Sequence, residues 1–184
     1  LLHQAVERLA DLAASWMVAG FVHGVLNTDN MNISGESFDY GPWRFLPEWD
    51  PGFTAAYFDH SGLYAFGRQP EALHWNCGQL AIALRPLADS APLVAAMERF
   101  GPLYMAAVGR RWCWRLGVES LGAEADTALV SACEVAMRGT GESPDAFFFR
   151  HRGGRGVHGV LEEALAGRKS LVGDHPYWSD PAPQ

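Results

Sequence analysis

The sequence predicts a mainly α-helical fold, α+β overall, with one small β-hairpin. Apolar residues recur at helical spacing through long stretches on both sides of an irregular middle. A single segment, residues 31–40, reads as a strand pair around a turn. No internal repeat and no low-complexity run breaks the pattern.

The elements follow in order. Val6, Leu9, Ala10, Leu12, Ala13, Trp16 and Met17 share one face opposite Glu7, Arg8, Asp11 and Ser15, so an amphipathic helix is expected to end near Gly20. Met31 to Ile33 and Ser37 to Tyr40 read as two short strands around Ser34-Gly35-Glu36. Gly41 to Gly67 is rich in Pro, Gly and aromatics and reads as an irregular, packed segment; loops of such length are usually functional. Pro70-Glu71 opens a helix through Leu84, which Pro86 closes. A second long helical run starts at Ser90-Ala91-Pro92 and reaches Leu116, and Gly101-Pro102 should kink or split it. Ala123 to Met137 forms a third helix with Arg138-Gly139 as its stop. Asp145 to Arg150 is a short apolar helix or turn, and Val157 to Ala166 is the last helix, ended by Gly167.

Composition narrows the function. At 184 residues, with 48% apolar and 19% charged side chains, the chain suits one globular domain with a substantial core. A formal charge of −7 argues against a nucleic-acid-binding face, which needs an excess of Lys and Arg. No apolar run is long enough to span a bilayer and no signal peptide opens the chain, so no membrane partner is expected. Cys77, Cys113 and Cys133 are widely spaced, odd in number and lack a CxxC, which points to buried hydrophobes in a reducing, cytoplasmic setting.

The chemistry concentrates in Phe21-Val22-His23-Gly24-Val25-Leu26-Asn27-Thr28-Asp29-Asn30, followed by Asp39-Tyr40-Gly41. An Asp-Asn pair alone is ordinary turn chemistry. Here a second Asp follows across the expected hairpin, and this is how a kinase-like fold collects the oxygen ligands of a magnesium–nucleotide complex. Mg²⁺ takes hard oxygen donors and keeps phosphates and waters in its other positions, so one amide and one carboxylate from the protein suffice. Where a phosphotransferase carries its catalytic Asp, two residues after the His, this chain has Val25; the carboxylate stands instead at Asp29. His23 is expected to brace the loop, and Asn27 and Thr28 to shape it.

These blocks resemble the selenoprotein O family, pseudokinases that act as protein adenylyltransferases. The resemblance rests on GFVHGVLNTDNMNISG (20–35), FDYGPWRFLPEWDPGF (38–53), DHSGLYAFGRQP (59–70) and WNCGQLAIAL (75–84). It implies a protein-kinase-like C-lobe, helical with one β-hairpin at the metal site, in which 1–70 carries the catalytic and metal-binding loops and 71–184 the helical part. It implies that Asp29 is the proton acceptor, that Asn30 and Asp39 hold Mg²⁺ or Mn²⁺, and that Asp39 thereby binds the ATP. The implied reaction moves AMP from ATP to Ser, Thr or Tyr hydroxyls of target proteins, with ATP bound in the reverse sense to a kinase. The sequence holds no glycine-rich phosphate loop and no strand Lys ahead of the 23–30 loop, and Leu1-Leu2-His3-Gln4 starts inside a helical pattern, so a carboxy-terminal fragment is expected, inactive alone and partnered by the N-terminal lobe of the same protein. The terminal cysteine or selenocysteine motif of many family members is absent. Two further readings remain beside this one, a kinase-like γ-phosphotransferase and a non-catalytic helical module.

Other residues read more simply. Asp59-His60 lacks the neighbours that would complete a metal cluster and is expected to be structural, and His74 and Trp75 to pack on a helix. Arg110-Arg111…Arg115 and Arg150-His151-Arg152…Arg155 read as a solvated helix face and a charged loop. Gly153-Gly154-Arg155-Gly156 lacks the Lys-Ser/Thr of a phosphate loop, and no Gly-x-Ser-x-Gly elbow is present.

Overall fold

Gly20 stops the first helix as expected: at φ 66° it takes the left-handed conformation that closes a helix C-terminus, its N–H bonding back to Met17 and Trp16 carbonyls. That helix, α1 (Leu2–Ala19), opens a computed structural model that describes residues 1–173. The expected end loop Ser179-Asp180-Pro181-Ala182-Pro183-Gln184 lies outside the described residues. After α1 come β1 (Phe21–Val22), a 3₁₀ turn (Thr28–Asn30), β2 (Arg44–Phe45), a second 3₁₀ turn (Phe66–Arg68) and the helices α2 (Gln69–Leu84), α3 (Ser90–Glu98), α4 (Phe100–Leu116), α5 (Ala123–Met137), α6 (Pro144–Arg150) and α7 (Val160–Leu165). The fold is therefore mainly helical, and among the described residues no helix is long and apolar enough to cross a membrane.

The small sheet is not the one the sequence suggests. β1 pairs antiparallel with β2, Phe21 opposite Phe45 and Val22 opposite Arg44. The expected hairpin over 31–40 reduces to a single bridge between Met31 and Ser37, closed by Asn32 N–H to Glu36 O at 2.8 Å and Gly35 N–H to Asn32 O at 3.0 Å. Its residues are mostly exposed, the apolar Ile33 and Phe38 included, and an isolated two-stranded hairpin has little to hold it in water. The Ser37 side chain is drawn inward instead, into hydrogen bonds described below.

The chain forms two compact units, residues 1–45 with 50–107, and residues 46–49 with 108 onward. In the first, Leu2, Val6, Leu9, Ala13 and Trp16 of α1 pack with Leu73, Cys77 and Ala81 of α2, Leu93 and Ala96 of α3, and Phe100. Pro70 sits in the first turn of α2, where its missing N–H costs nothing. The long predicted run does split, but at Arg99 between α3 and α4 rather than at Gly101-Pro102. Pro102 is accommodated in the first turn of α4 for the same reason that Pro70 is tolerated in α2.

The second unit centres on Trp112, whose ring meets Trp49 at 5.7 Å and Phe148 at 5.0 Å between centroids. α6 begins with a Ser143 side-chain cap on Ala146 N–H, and α5 packs on α7. The two arginine clusters are not simply solvated. Arg115 is largely buried, pairs with Asp145 and lies 4.2 Å over the Phe148 ring, while the Arg152 guanidinium donates to the carbonyls of Trp114 and Arg115. Cys77, Cys113 and Cys133 are free and buried as expected, and burial pushes the Cys77 and Cys113 thiols up to about 12 and about 11.

Candidate functional site

The site is built where the chain leaves α1 and turns through residues 23–30. Its anchor is His23, fully buried between the rings of Trp16 and Tyr40, each 5.4 Å away between centroids. Val25 N–H donates to His23 Nδ1 at 3.3 Å, which assigns the ring proton to Nε2. Nε2–H then donates to Ser37 Oγ at 2.7 Å, and the Ser37 hydroxyl donates to the Asn30 carbonyl at 3.0 Å. One neutral imidazole thus ties the start of the loop to its end. His23 braces, as the sequence suggests.

Burial lowers the His23 pKa, while the Asp39 charge and the Val25 hydrogen bond act in the opposite direction without reversing it. The folded ring therefore protonates below its ordinary 6.5. Stability conferred by the neutral ring is complete above that value and is lost as the pH falls towards the folded pKa, because the unfolded chain takes up the proton first. A urea-denaturation series from about pH 7 to about pH 5 should show this decline in the parent chain and a shallower one in a His23→Gln variant. Equal slopes would remove His23 from the acid response.

Two amides from α2 complete the frame. Gln69 accepts from His23 N–H at 2.9 Å and donates to Phe21 O at 2.8 Å, and Asn76 donates to Leu26 O at 3.0 Å. Both are buried, so the His23 N–H and the Phe21 and Leu26 carbonyls are satisfied without water. Sequence reading missed Gln69, Asn76 and Ser37. A polar Asn76 beside Leu73 and Cys77 on the buried side of a helix was the available signal.

The side chains singled out by the sequence stand on this frame. Asn30 is buried and its Nδ2 donates to Val25 O at 3.0 Å, which fixes the amide and leaves Oδ1 without a hydrogen-bond donor among the described residues. Asp29 and Asp39 are exposed, and neither carboxylate is taken by a hydrogen bond or ion pair among those residues. The 39–42 loop packs directly on the 23–30 loop. A methyl group built at Gly41 would stand 3.4 Å from Val25 Cγ2, and one built at Gly24 would stand 3.3 Å from Pro42 Cγ. Gly24 also has φ +91°, so a side chain there is disfavoured both by crowding and by backbone strain. Val25 is therefore the hub: its carbonyl holds Asn30, its N–H holds His23, and its side chain meets Gly41.

This donor set suits a hard divalent cation that is completed by phosphate oxygens, with one amide oxygen and one carboxylate on adjoining loops. It does not suit a closed structural site: among the described residues no group of three or more His, Cys, Asp or Glu side chains is placed to hold a metal. Asp59 is spent elsewhere, accepting from the N–H groups of Leu63 and Tyr64 at 2.8 Å each, in keeping with its expected structural role. Tyr64 in turn donates to Asn27 Oδ1 beside the catalytic-type loop. Burial raises the Tyr64 pKa, and the charges of Asp59 and Asp29 raise it further, so the phenol stays a donor.

The model of the family "Protein adenylyltransferase SelO" matches residues 1–154. The chain is 47% identical over 138 residues to the protein nucleotidyltransferase YdiU of Synechococcus sp. (strain ATCC 27144), covering 73% of this chain and 28% of that protein. It is 50% identical over 123 residues to the protein nucleotidyltransferase YdiU of Trichodesmium erythraeum, covering 67% and 26%. It is 44% identical over 167 residues to that of Pseudomonas paraeruginosa, covering 90% and 33%. The chain spans between about a quarter and a third of the length of these relatives.

Proposed function

This chain belongs to the protein adenylyltransferase SelO family, and from that premise we propose that it supplies the catalytic and metal-binding loops of an enzyme that moves AMP from ATP to Ser, Thr or Tyr hydroxyls of target proteins. The observation that carries the reading is the packing of the 39–42 loop on the 23–30 loop, with the side-chain oxygens of Asp29, Asn30 and Asp39 accepting no hydrogen bond among the described residues. In this reading residues 1–184 form a kinase-like C-lobe, with 1–70 carrying the loops and 71–184 the helical support, and the remaining ATP contacts come from a further lobe.

Asn30 Oδ1 and an Asp39 oxygen would hold Mg²⁺ or Mn²⁺. The ion, when bound, offsets the negative charge of the triphosphate. The chain's own part is positional. His23, Gln69 and Asn76 hold the loop, Val25 O fixes the Asn30 amide, and Asp29 accepts the proton of the target hydroxyl. The hydroxyl oxygen forms a bond to the α-phosphorus as the bond from that phosphorus to the pyrophosphate oxygen breaks. The proton passes to Asp29 and pyrophosphate leaves.

The test is isotopic. A protein completed to the length of its relatives, given ATP labelled on the α-phosphorus and an acceptor protein, should place label on the acceptor and release pyrophosphate in equal amount. Chelation of divalent cations and an Asp39→Ala substitution should each stop the transfer. Label arriving on the acceptor only from the γ-phosphorus would overturn the proposal in favour of a γ-phosphotransferase.

A further inference from the structure

Beside the loop that carries Asp29 lies a cleft of about 210 Å³. Leu26, Leu63, Ala72 and Trp75 give it an apolar lining, and Asn27 and Tyr64 form its wall on the side of the candidate site. Three observations distinguish it from an ordinary surface hollow. Large apolar side chains are left in water there, Trp75 being 59% and Leu63 48% exposed. Its polar wall is fixed, because the Tyr64 hydroxyl donates to Asn27 Oδ1 while Asp59 holds the Leu63 and Tyr64 N–H groups. It is also continuous with the site: Asn27 precedes Thr28-Asp29 directly, and the Asp29 charge reaches the Tyr64 phenol.

Size and charge narrow the occupant. Sites that enclose whole small molecules usually measure roughly 300–1,000 Å³, so this cleft suits one side chain rather than a nucleotide. Glu71 lines the cleft and Asp29 and Asp59 stand near it, while Arg68, the one cation among the described residues that line it, is already paired with Glu71 at 3.0 Å. An acidic side chain would be repelled, and an apolar one would cover Trp75 and Leu63.

We propose that this cleft is the acceptor-side subsite, which seats an apolar side chain of the target polypeptide next to the residue whose hydroxyl receives the nucleotide. The identity of the occupant rests on the nucleotidyl-transfer reading. In that arrangement the bound side chain sets the acceptor hydroxyl over Asp29, and Trp75, Leu63 and Tyr64 determine which sequences are modified.

Binding and transfer separate the two ideas. Fluorescein-labelled peptides that carry Ala at the acceptor position, with either Leu or Asp beside it, are titrated with the chain and followed by polarisation. The Leu peptide should bind about 10-fold or more tightly than the Asp peptide, and Trp75→Ala and Leu63→Ala variants, both changed at exposed positions, should lose that preference. Equal binding of the two peptides, binding of neither, or a preference that survives both substitutions would overturn the subsite. The same peptides with Ser restored are then offered to the completed protein with α-labelled ATP. Label transferred without a Leu preference leaves the transfer reading standing and removes the subsite. A Leu preference in binding with no label on any acceptor keeps a peptide cleft and removes the transfer reading.

Discussion

An Asp29→Asn variant of the completed protein should transfer nucleotide about 10²–10⁴-fold more slowly than the parent, the range that general bases contribute. The substitution keeps the side chain's size and its oxygen acceptor but removes its ability to take up the acceptor's proton. Asp29 is exposed, in a 3₁₀ turn whose shape is set by Asn30 N–H on Asn27 O at 3.1 Å and by the buried links of His23, Ser37 and Asn76. None of those links uses the Asp29 carboxylate, so thermal stability should be unchanged and KM for ATP nearly so. The loss should fall on kcat, which marks an interaction made in the transition state rather than on binding. A rate within about twofold of the parent would take the proton-acceptor role away from Asp29 and leave the turn with a shaping role only. Asp39→Ala should behave differently, since in the proposed site it removes a cation ligand and so weakens the triphosphate complex itself.

How much of this was legible in the sequence depends on how local each feature is. α1 and α5 repeat their apolar positions over several turns, and their ends carry Gly20 and Arg138-Gly139, so periodicity and stop signals sufficed. The pairing of Phe21–Val22 with Arg44–Phe45 was not legible, because a two-residue strand has no period to read and its partner lies beyond an irregular loop. The hairpin at 31–40 misled for the converse reason. Its alternation is real, but Ser37 is committed to His23 and Asn30, and a bridge is all that remains. At the site, spacing alone drew attention to Asp29, Asn30 and Asp39, and the two loops that carry them do pack together around Val25. The frame beneath them was invisible. Gln69 meets His23 across 46 residues and Asn76 meets Leu26 across 50, and a buried amide announces its partner only in three dimensions.

The same holds for the interaction whose removal should damage the fold most. In the second unit the Arg168 side chain is fully buried, and its Nη1 lies 2.6 Å from Asp126 Oδ1 and 3.0 Å from the Glu119 carbonyl, while its Nε donates to Ala164 O. Burial alone would raise the Asp126 carboxyl, but hydrogen bonds from Ser120, Arg168, the Leu121 N–H and Cys113 outweigh it and hold the group below its ordinary 3.8. An Asp126→Ala substitution leaves the guanidinium charge buried without its partner, which should cost about 3–5 kcal/mol. Because the chain has two compact units, the cost is best read by amide hydrogen exchange in α5 and α7, where protection should collapse while α1 and α2 keep theirs. The pair's contribution is complete above the ordinary carboxylate pKa and is lost as the pH falls through the lowered folded value, so the parent's α5–α7 protection should weaken only in acid below about pH 4. A double variant, Asp126→Leu with Arg168→Met, removes both charges together and should recover most of the loss, since an apolar pair of similar volume replaces a buried ion pair at little net cost. If the double variant were as unprotected as the single one, the ion pair would not be the source of the effect, and the Asp126 hydrogen bonds to Ser120 and Leu121 would have to be.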